Sequence, residues 1–379
     1  MSITKTMKKL GGLLGLTMLW GPTAAMAAYN ELNMTESVTA LGKDIYDLHM
    51  LVLWIVTIVG IGVFAVIIYS LINHRKSKGA VAAQFHESTT VEVIWTLIPF
   101  VILVAIAVPA TKTFLELEDT SNSDLTIKAT GWQWKWEYEY LEDGVHFFSN
   151  MDKKSNDIRQ LKSGMNPAEH EHYLLDVDNP IVVPVNKKVR ILTTANDVIH
   201  AWWVPELAVK RDAIPGFINE SWFKAEKEGT YRGQCAELCG KDHGFMPIVV
   251  NVVSEEKYAA WIGEQKAKSE AAAAGATKTW TQAELIKRGE EVYNASCAAC
   301  HQANGQGIPG VFPAITGGAI STGPVEAHID IVKNGKPGTA MQAFGSQLTA
   351  GDLAAVVTFQ RNALGNSVGD VVQPSQVSN

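Results

Sequence analysis

One short stretch carries most of the metal-binding chemistry of this chain: Cys235-Ala-Glu237-Leu-Cys239-Gly-Lys-Asp-His243-Gly-Phe-Met246, with His200 upstream. Thiolates, imidazoles and a thioether form a soft donor set that suits copper in an electron-transfer role. A single-copper site of the blue type needs one Cys, two His and a weak Met. The second cysteine is surplus to that, which favours two coppers bridged by both sulfurs. Sharing one electron over two metals keeps geometric change small on redox cycling. A structural zinc site and a disulfide are the alternatives, although Met is an unusual zinc ligand.

The other cysteines form Cys297-Ala-Ala-Cys300-His301, the attachment pattern of a c-type haem. Two thiols three positions apart share one helix face and can add to both haem vinyls, while the next His reaches the iron. Gly305, Gly307, Pro309 and Pro313 then form a loop, and Gly338-Thr-Ala-Met341-Gln-Ala-Phe344 supplies a thioether before a last helix at 351–361. With both pairs committed in this way, no disulfide is expected.

The elements that must position these residues read as follows. Lys5, Lys8 and Lys9, an apolar stretch and Ala25-Met26-Ala27 make residues 1–27 a signal peptide. Residues 28–118 form a transmembrane hairpin with spans at about 48–72 and 91–111, each long enough at roughly 1.5 Å per residue to approach or exceed a ~30 Å hydrocarbon core. Pro99 and Pro109 should kink the second span or its end. The connector carries His74, Arg75, Lys76 and Lys78, whereas Glu116, Glu118, Asp119 and Asp124 follow the second span. Positive charge stays inside, so everything after Lys112 lies outside the cytoplasm.

Residues 119–262 read as an all-β sandwich or barrel. Leu125, Ile127 and Ala129 alternate with polar neighbours; after Gly131 the parity switches, and Trp132, Trp134, Trp136, Tyr138 and Tyr140 fall on one side, with Gly131 as a bulge or bend. Further strands are expected at 181–185, 189–193, 221–225 and 248–252. Residues 142–172 read as an irregular surface insertion whose His146, His170 and His172 are solvated. A helix starts at 255 and gives way to a small-residue linker at 263–280. The all-α domain at 281–365 opens on a Thr281-x-x-Glu284 capping box, and 366–379 reads as a disordered tail.

The net charge of −7 argues against nucleic acid as a partner. Residues 113–262 carry an acidic excess, a field that attracts basic proteins.

Asp197-Val-Ile-His200-Ala-Trp-Trp-Val-Pro205, Lys210-Arg-Asp212-Ala-Ile-Pro215-Gly216 and the Cys-x-Glu-x-Cys-x3-His-x2-Met run resemble cytochrome c oxidase subunit II in order and spacing. So do Gly131-Trp-Gln-Trp134-Lys-Trp-Glu-Tyr138 and Leu175-Asp-Val-Asp178-Asn179. The resemblance covers about residues 40–260. It implies a cupredoxin fold and a binuclear CuA centre bridged by Cys235 and Cys239. His200 and Met246 would complete one copper, and His243 and the Glu237 carbonyl the other. It further implies that the Glu237 side chain reaches a magnesium ion at the subunit I interface. Glu92 would lie at the cytoplasmic mouth of a proton path into subunit I, and Trp134 at the exposed electron entrance, bordered by Asp178. The C-terminal portion resembles a class I cytochrome c with His301 and Met341 as axial ligands. The usual proline after that Met is replaced here by Gln342.

The fold class expected is therefore a multi-domain membrane protein: a two-helix hairpin, a cupredoxin-like sandwich and a class I cytochrome c domain. The function expected is electron relay from haem c to CuA and on to subunit I, where O2 is reduced to water with proton pumping. No residue of this chain acts as acid, base or nucleophile in that chemistry. Partners would be subunit I, other oxidase subunits, membrane lipid, and cytochrome c or a cytochrome bc complex as donor. The location would be multi-pass in a bacterial inner membrane, with the sandwich and cytochrome domains in the periplasm. The alternative is a membrane-anchored electron carrier for another terminal reductase.

Overall fold

The computed structural model describes residues 33–160, 163–275 and 278–378; the expected signal peptide at 1–27 lies outside them. The chain divides into two units.

The first unit holds the helical pair. Helix α1 (Ala40–Asn73) starts where the Thr39 hydroxyl accepts the Gly42 N–H, and α2 (Thr89–Glu118) follows a connector with a 3-10 turn at Lys76–Lys78. Both helices are long and apolar enough to cross a membrane. At 34 residues α1 is about 50 Å long, well beyond a ~30 Å core. Ile58, Phe64, Leu71, Ile98 and Leu103 are exposed around the pair, a surface that only lipid or apolar partners can cover. α2 remains one helix through Pro99 and Pro109.

In the second unit, two five-stranded sheets run in the orders β3-β2-β1-β5-β8 and β4-β10-β9-β6-β7. The strands are β1 (Leu125–Trp132), β2 (Lys135–Tyr140), β3 (Val145–Ser149), β4 (Ile181–Pro184), β5 (Val189–Ala195), β6 (His200–Val204), β7 (Val209–Ala213), β8 (Asn219–Phe223), β9 (Gly229–Cys235) and β10 (Pro247–Val253). β1 pairs antiparallel with β2 and parallel with β5; β10 pairs antiparallel with β9 and parallel with β4. Inner faces of the two sheets bury Ile127, Trp136, Tyr138, Tyr140, Ile191, Trp202, Phe223 and Ile248.

The aromatic run departs from the sequence reading. It is not one strand: Trp132 ends β1, Gln133 and Trp134 turn the chain, and Trp136, Tyr138 and Tyr140 return on β2. Gly131 is no bulge, since it pairs in register with both Trp136 and Ala195. Its role is steric: a Cβ there would sit 2.6 Å from His200 Cδ2. The supposed irregular insertion includes β3 and a short helix, α3 (Lys153–Ile158). There His146 meets Glu137 at 2.6 Å, and His170 is largely buried 3.3 Å from Asp152 rather than solvated.

Helix α4 (Glu255–Gly275) continues through Ala271–Ala274, so most of the expected linker is helix; alanine is the best helix former, and smallness alone does not break one. The C-terminal helices are α5 (Gln282–Ser296), α6 (Ala298–His301), α7 (Val325–Asn334), α8 (Ala350–Asn362) and α9 (Pro374–Val377). The Thr281–Glu284 capping box is present. α5 crosses α8 so closely that a Cβ on Gly289 would lie 2.1 Å from the Ala355 carbonyl oxygen. The tail is packed rather than disordered: Val372 and Val377 are buried, and the Gln373 amide bridges the Trp280 backbone.

Candidate functional site

Three segments of one sheet converge at the first cysteine pair. His200 opens β6, Cys235 closes β9, and the loop beyond it carries Cys239, His243 and Met246 back to β10. His200, Cys235, Cys239 and Met246 are buried, and His243 is half-buried. The two sulfurs lie 3.8 Å apart. Cys235 Sγ faces His200 Nδ1 at 3.9 Å and donates to the Glu237 carbonyl at 3.4 Å. Cys239 Sγ lies 3.5 Å from His243 Nδ1 and 3.6 Å from Met246 Sδ. His200 Nδ1 and the two sulfurs are close enough to share one ion.

Electrostatics favour deprotonation of one sulfur. The Cys235 thiol is held far below its ordinary range, chiefly by donation from Cys239 and also by His200. Burial opposes that shift, and Cys239 is driven up by its anionic neighbour and by burial. A pair this close titrates as one unit, and a bound cation would take the place of its protons. Burial lowers His200, but Asp197 and Cys235 outweigh it and the imidazole is raised overall.

Asp197 is a residue whose part the sequence reading missed. Its Oδ1 pairs with His200 Nε2 at 2.9 Å, leaving Nδ1 for the sulfur side, while Oδ2 accepts the Gln133 N–H at 2.7 Å. The only signal was its place three residues before His200. Gln133 was missed as well: its amide donates to the Cys239 carbonyl at 2.8 Å, beside Trp134 Nε1 at 3.1 Å. Trp134 is half-buried, so it is neither free surface nor sandwich core. The Glu237 side chain is exposed. Glu92 stands in the first turn of α2, its carboxylate accepting the Ser88 N–H at 3.4 Å.

The second pair borders a cavity of about 980 Å³ that Cys297, Cys300, His301 and Met341 all line. That is the upper end of small-molecule sites, about 300–1,000 Å³. Cys297 follows α5, and Cys300 and His301 lie on α6. Burial pushes the Cys297 thiol up to about 12 and also raises Cys300, so both are neutral. Burial lowers His301, whose Nδ1–H donates to the Pro313 carbonyl at 2.8 Å. A neutral ring tied down at Nδ1 keeps Nε2 free to ligate. Met341 is half-buried and packs against the apolar core of the domain. All four thiols are unbridged. Both donor sets therefore fit their groups: soft sulfur and imidazole for copper, a roomy cavity with tethering thiols and an oriented His for haem.

Known proteins carry the same parts. Residues 125–253 match the periplasmic domain of cytochrome c oxidase subunit II, residues 27–113 its transmembrane domain, and residues 284–359 the family described as cytochrome c oxidase, cbb3-type, subunit III. A probable cytochrome c oxidase subunit 2 of Rickettsia bellii is 40% identical over 238 residues, 62% of this chain and 84% of that one. Cytochrome c oxidase subunit 2 of Cereibacter sphaeroides is 37% identical, over 61% of this chain and 78% of that one. The solved periplasmic domain of subunit II of cytochrome oxidase of Bradyrhizobium japonicum is 47% identical, covering 39% of this chain and 96% of that one at a TM-score of 0.34. With an apolar helix pair, a sandwich that gathers the sulfur and imidazole donors, and a helical domain bearing a haem-attachment pattern, this chain belongs to the cytochrome c oxidase subunit II family, as a membrane-anchored member with an added cytochrome c domain.

Proposed function

We propose that the chain accepts electrons at a haem c held in its C-terminal domain, passes them to a binuclear CuA centre in the sandwich, and delivers them to subunit I for proton-pumping reduction of O2. It would be a multi-pass protein of a bacterial inner membrane, with both soluble domains in the periplasm, served by cytochrome c or a cytochrome bc complex. The observation that carries this reading is the joining of the two donor sets within one unit, where Trp134 lines the haem cavity and donates to the Cys239 carbonyl.

The bound groups would supply one-electron redox chemistry, and the protein's part is to hold them still and dry. Cys235, Cys239, His200, Met246, His243 and the Glu237 carbonyl would together hold the copper. Asp197 fixes the His200 ring, and the buried Met246 and Cys235 exclude water. Cys297 and Cys300 would tether the haem, and His301 and Met341 would hold its iron. Trp134, which lines the cavity and donates to the Cys239 carbonyl, would stand between the two groups. The exposed Glu237 carboxylate is free to meet magnesium shared with subunit I, and Glu92 would open a proton path from the cytoplasmic side.

Purification of the intact complex tests this. We expect a many-span haem protein to co-purify and reduced cytochrome c to drive oxygen uptake. A preparation with copper and haem but no such companion and no uptake would favour a membrane-anchored carrier for another reductase.

A further inference from the structure

Gln342 stands where cytochromes of this class usually carry proline, and the structure gives that departure a use. Proline has no side-chain donor. The Gln342 amide donates to the Gln133 backbone carbonyl on the sandwich turn, and its Oε1 accepts from Gln347 Nε2 at 3.4 Å. Gln347 also donates to the Ala343 carbonyl at 2.6 Å and accepts from the Lys135 ammonium. Lys135 is only 7% exposed and lies 4.6 Å from the Phe148 ring centre and 5.2 Å from that of Phe344. Burying an ammonium is costly without a partner, and here Gln347 and two aromatic faces from both sides of the seam supply one. Elsewhere, Lys241 Nζ donates to the Ala299 carbonyl, within the haem-attachment pattern itself, at 3.1 Å.

We infer that Gln342 is a positioning residue that pins the Met341 loop onto the Gln133–Trp134 turn, making the cytochrome domain a fixed internal partner of the copper site. The inference rests on the electron route proposed above. The polar contacts then run from Lys135 through Gln347 and Gln342 to the Gln133 carbonyl, while the N–H of the same residue donates to the Asp197 carboxylate that also holds His200. Each hydrogen bond named across the seam ends on a neutral amide or carbonyl acceptor, so salt should weaken it little, unlike an encounter steered by charge.

The test is hydrogen exchange on the purified full-length oxidase, comparing wild type with Gln342→Ala and Gln342→Pro. In both variants, peptides spanning 131–136 and 341–348 should exchange about three- to tenfold faster. Haem absorbance, haem midpoint and copper EPR should stay unchanged, and flash-induced haem-to-copper transfer should slow by a comparable factor. Wild-type exchange at both peptides in both variants would overturn the inference. So would a shifted haem midpoint, because Gln342 would then act on Met341 ligation rather than on the seam. Wild-type protein lacking haem c or copper would instead defeat the functional reading, while the exchange result would still report on the seam.

Discussion

The two sulfur-rich regions use the same residue types to opposite structural ends. Around Cys235 and Cys239 the donor atoms already face one another at 3.5–3.9 Å, because three strands and a tight loop deliver them. Around Cys297 and Cys300 the residues instead border a large cavity, beside a separate apolar core in which α5 packs tightly on α8. The first site is prebuilt, with its donor atoms in mutual contact; the second spreads its donors around the wall of a cavity. The pKa directions agree. Proximity lowers one thiol of the first pair, whereas burial is the main cause that raises both thiols of the second.

The strongest way to break this comparison is to damage the prebuilt site and ask whether the other notices. Cys239→Ser removes one bridging sulfur while leaving Cys235, His200 and the sandwich core in place. The expected outcome is complete loss of the mixed-valence two-copper EPR signal, with covalent haem retained in full. A normal signal in the variant would refute bridging, and lost haem would show that the two sites are not separable.

How much of this was legible beforehand follows from how local each signal is. The donor residues and the Thr281 cap sit within a few positions of each other, so spacing alone exposes them. Strands β4, β5 and β10 were legible from their apolar residues, whereas β8, expected at 221–225, starts two residues earlier at Asn219. β9 (Gly-Thr-Tyr-Arg-Gly-Gln-Cys) is too polar and glycine-rich to announce itself, and β6 and β7 pair across a short 3-10 turn at Pro205–Leu207. The tail could not be read at all, because Val372 and Val377 look like any isolated valines until the body of the domain supplies their neighbours. The Gln133–Trp134 turn failed for a different reason. Five aromatics at period two fit a strand so well that the reversal leaves no trace in composition, only in pairing.

A milder change sharpens the contrast at the cavity. Met341→Leu keeps the volume and the apolar packing against the domain core but deletes the sulfur. The haem should stay attached through Cys297 and Cys300, and its midpoint should fall on the order of 0.1 V, since loss of a Met/His pair lowers haem potential. The copper signal should not change. An unaltered midpoint in redox titration would mean that another residue ligates the iron.

The smallest effect should come from Asp197→Asn, which leaves every donor atom of the prebuilt site in place. The carboxylate holds His200 Nε2–H at 2.9 Å and the Gln133 N–H at 2.7 Å, so it orients a copper-facing ring and the Trp134 turn together. Asparagine keeps one acceptor oxygen but must present its amide nitrogen to one of those two donors, which leaves a polar group poorly matched at a cost of about 1–3 kcal/mol. Substitutions at such supporting contacts typically weaken metal binding about 10- to 100-fold. Because the sulfur donors are untouched, the lower end applies: about tenfold weaker copper binding in a chelator competition, with the two-copper signal kept. The haem midpoint, governed on the far side of the seam, should not move. A variant that binds copper as tightly as wild type would show that β6 and the β9–β10 loop alone orient His200, and that the carboxylate serves only the turn.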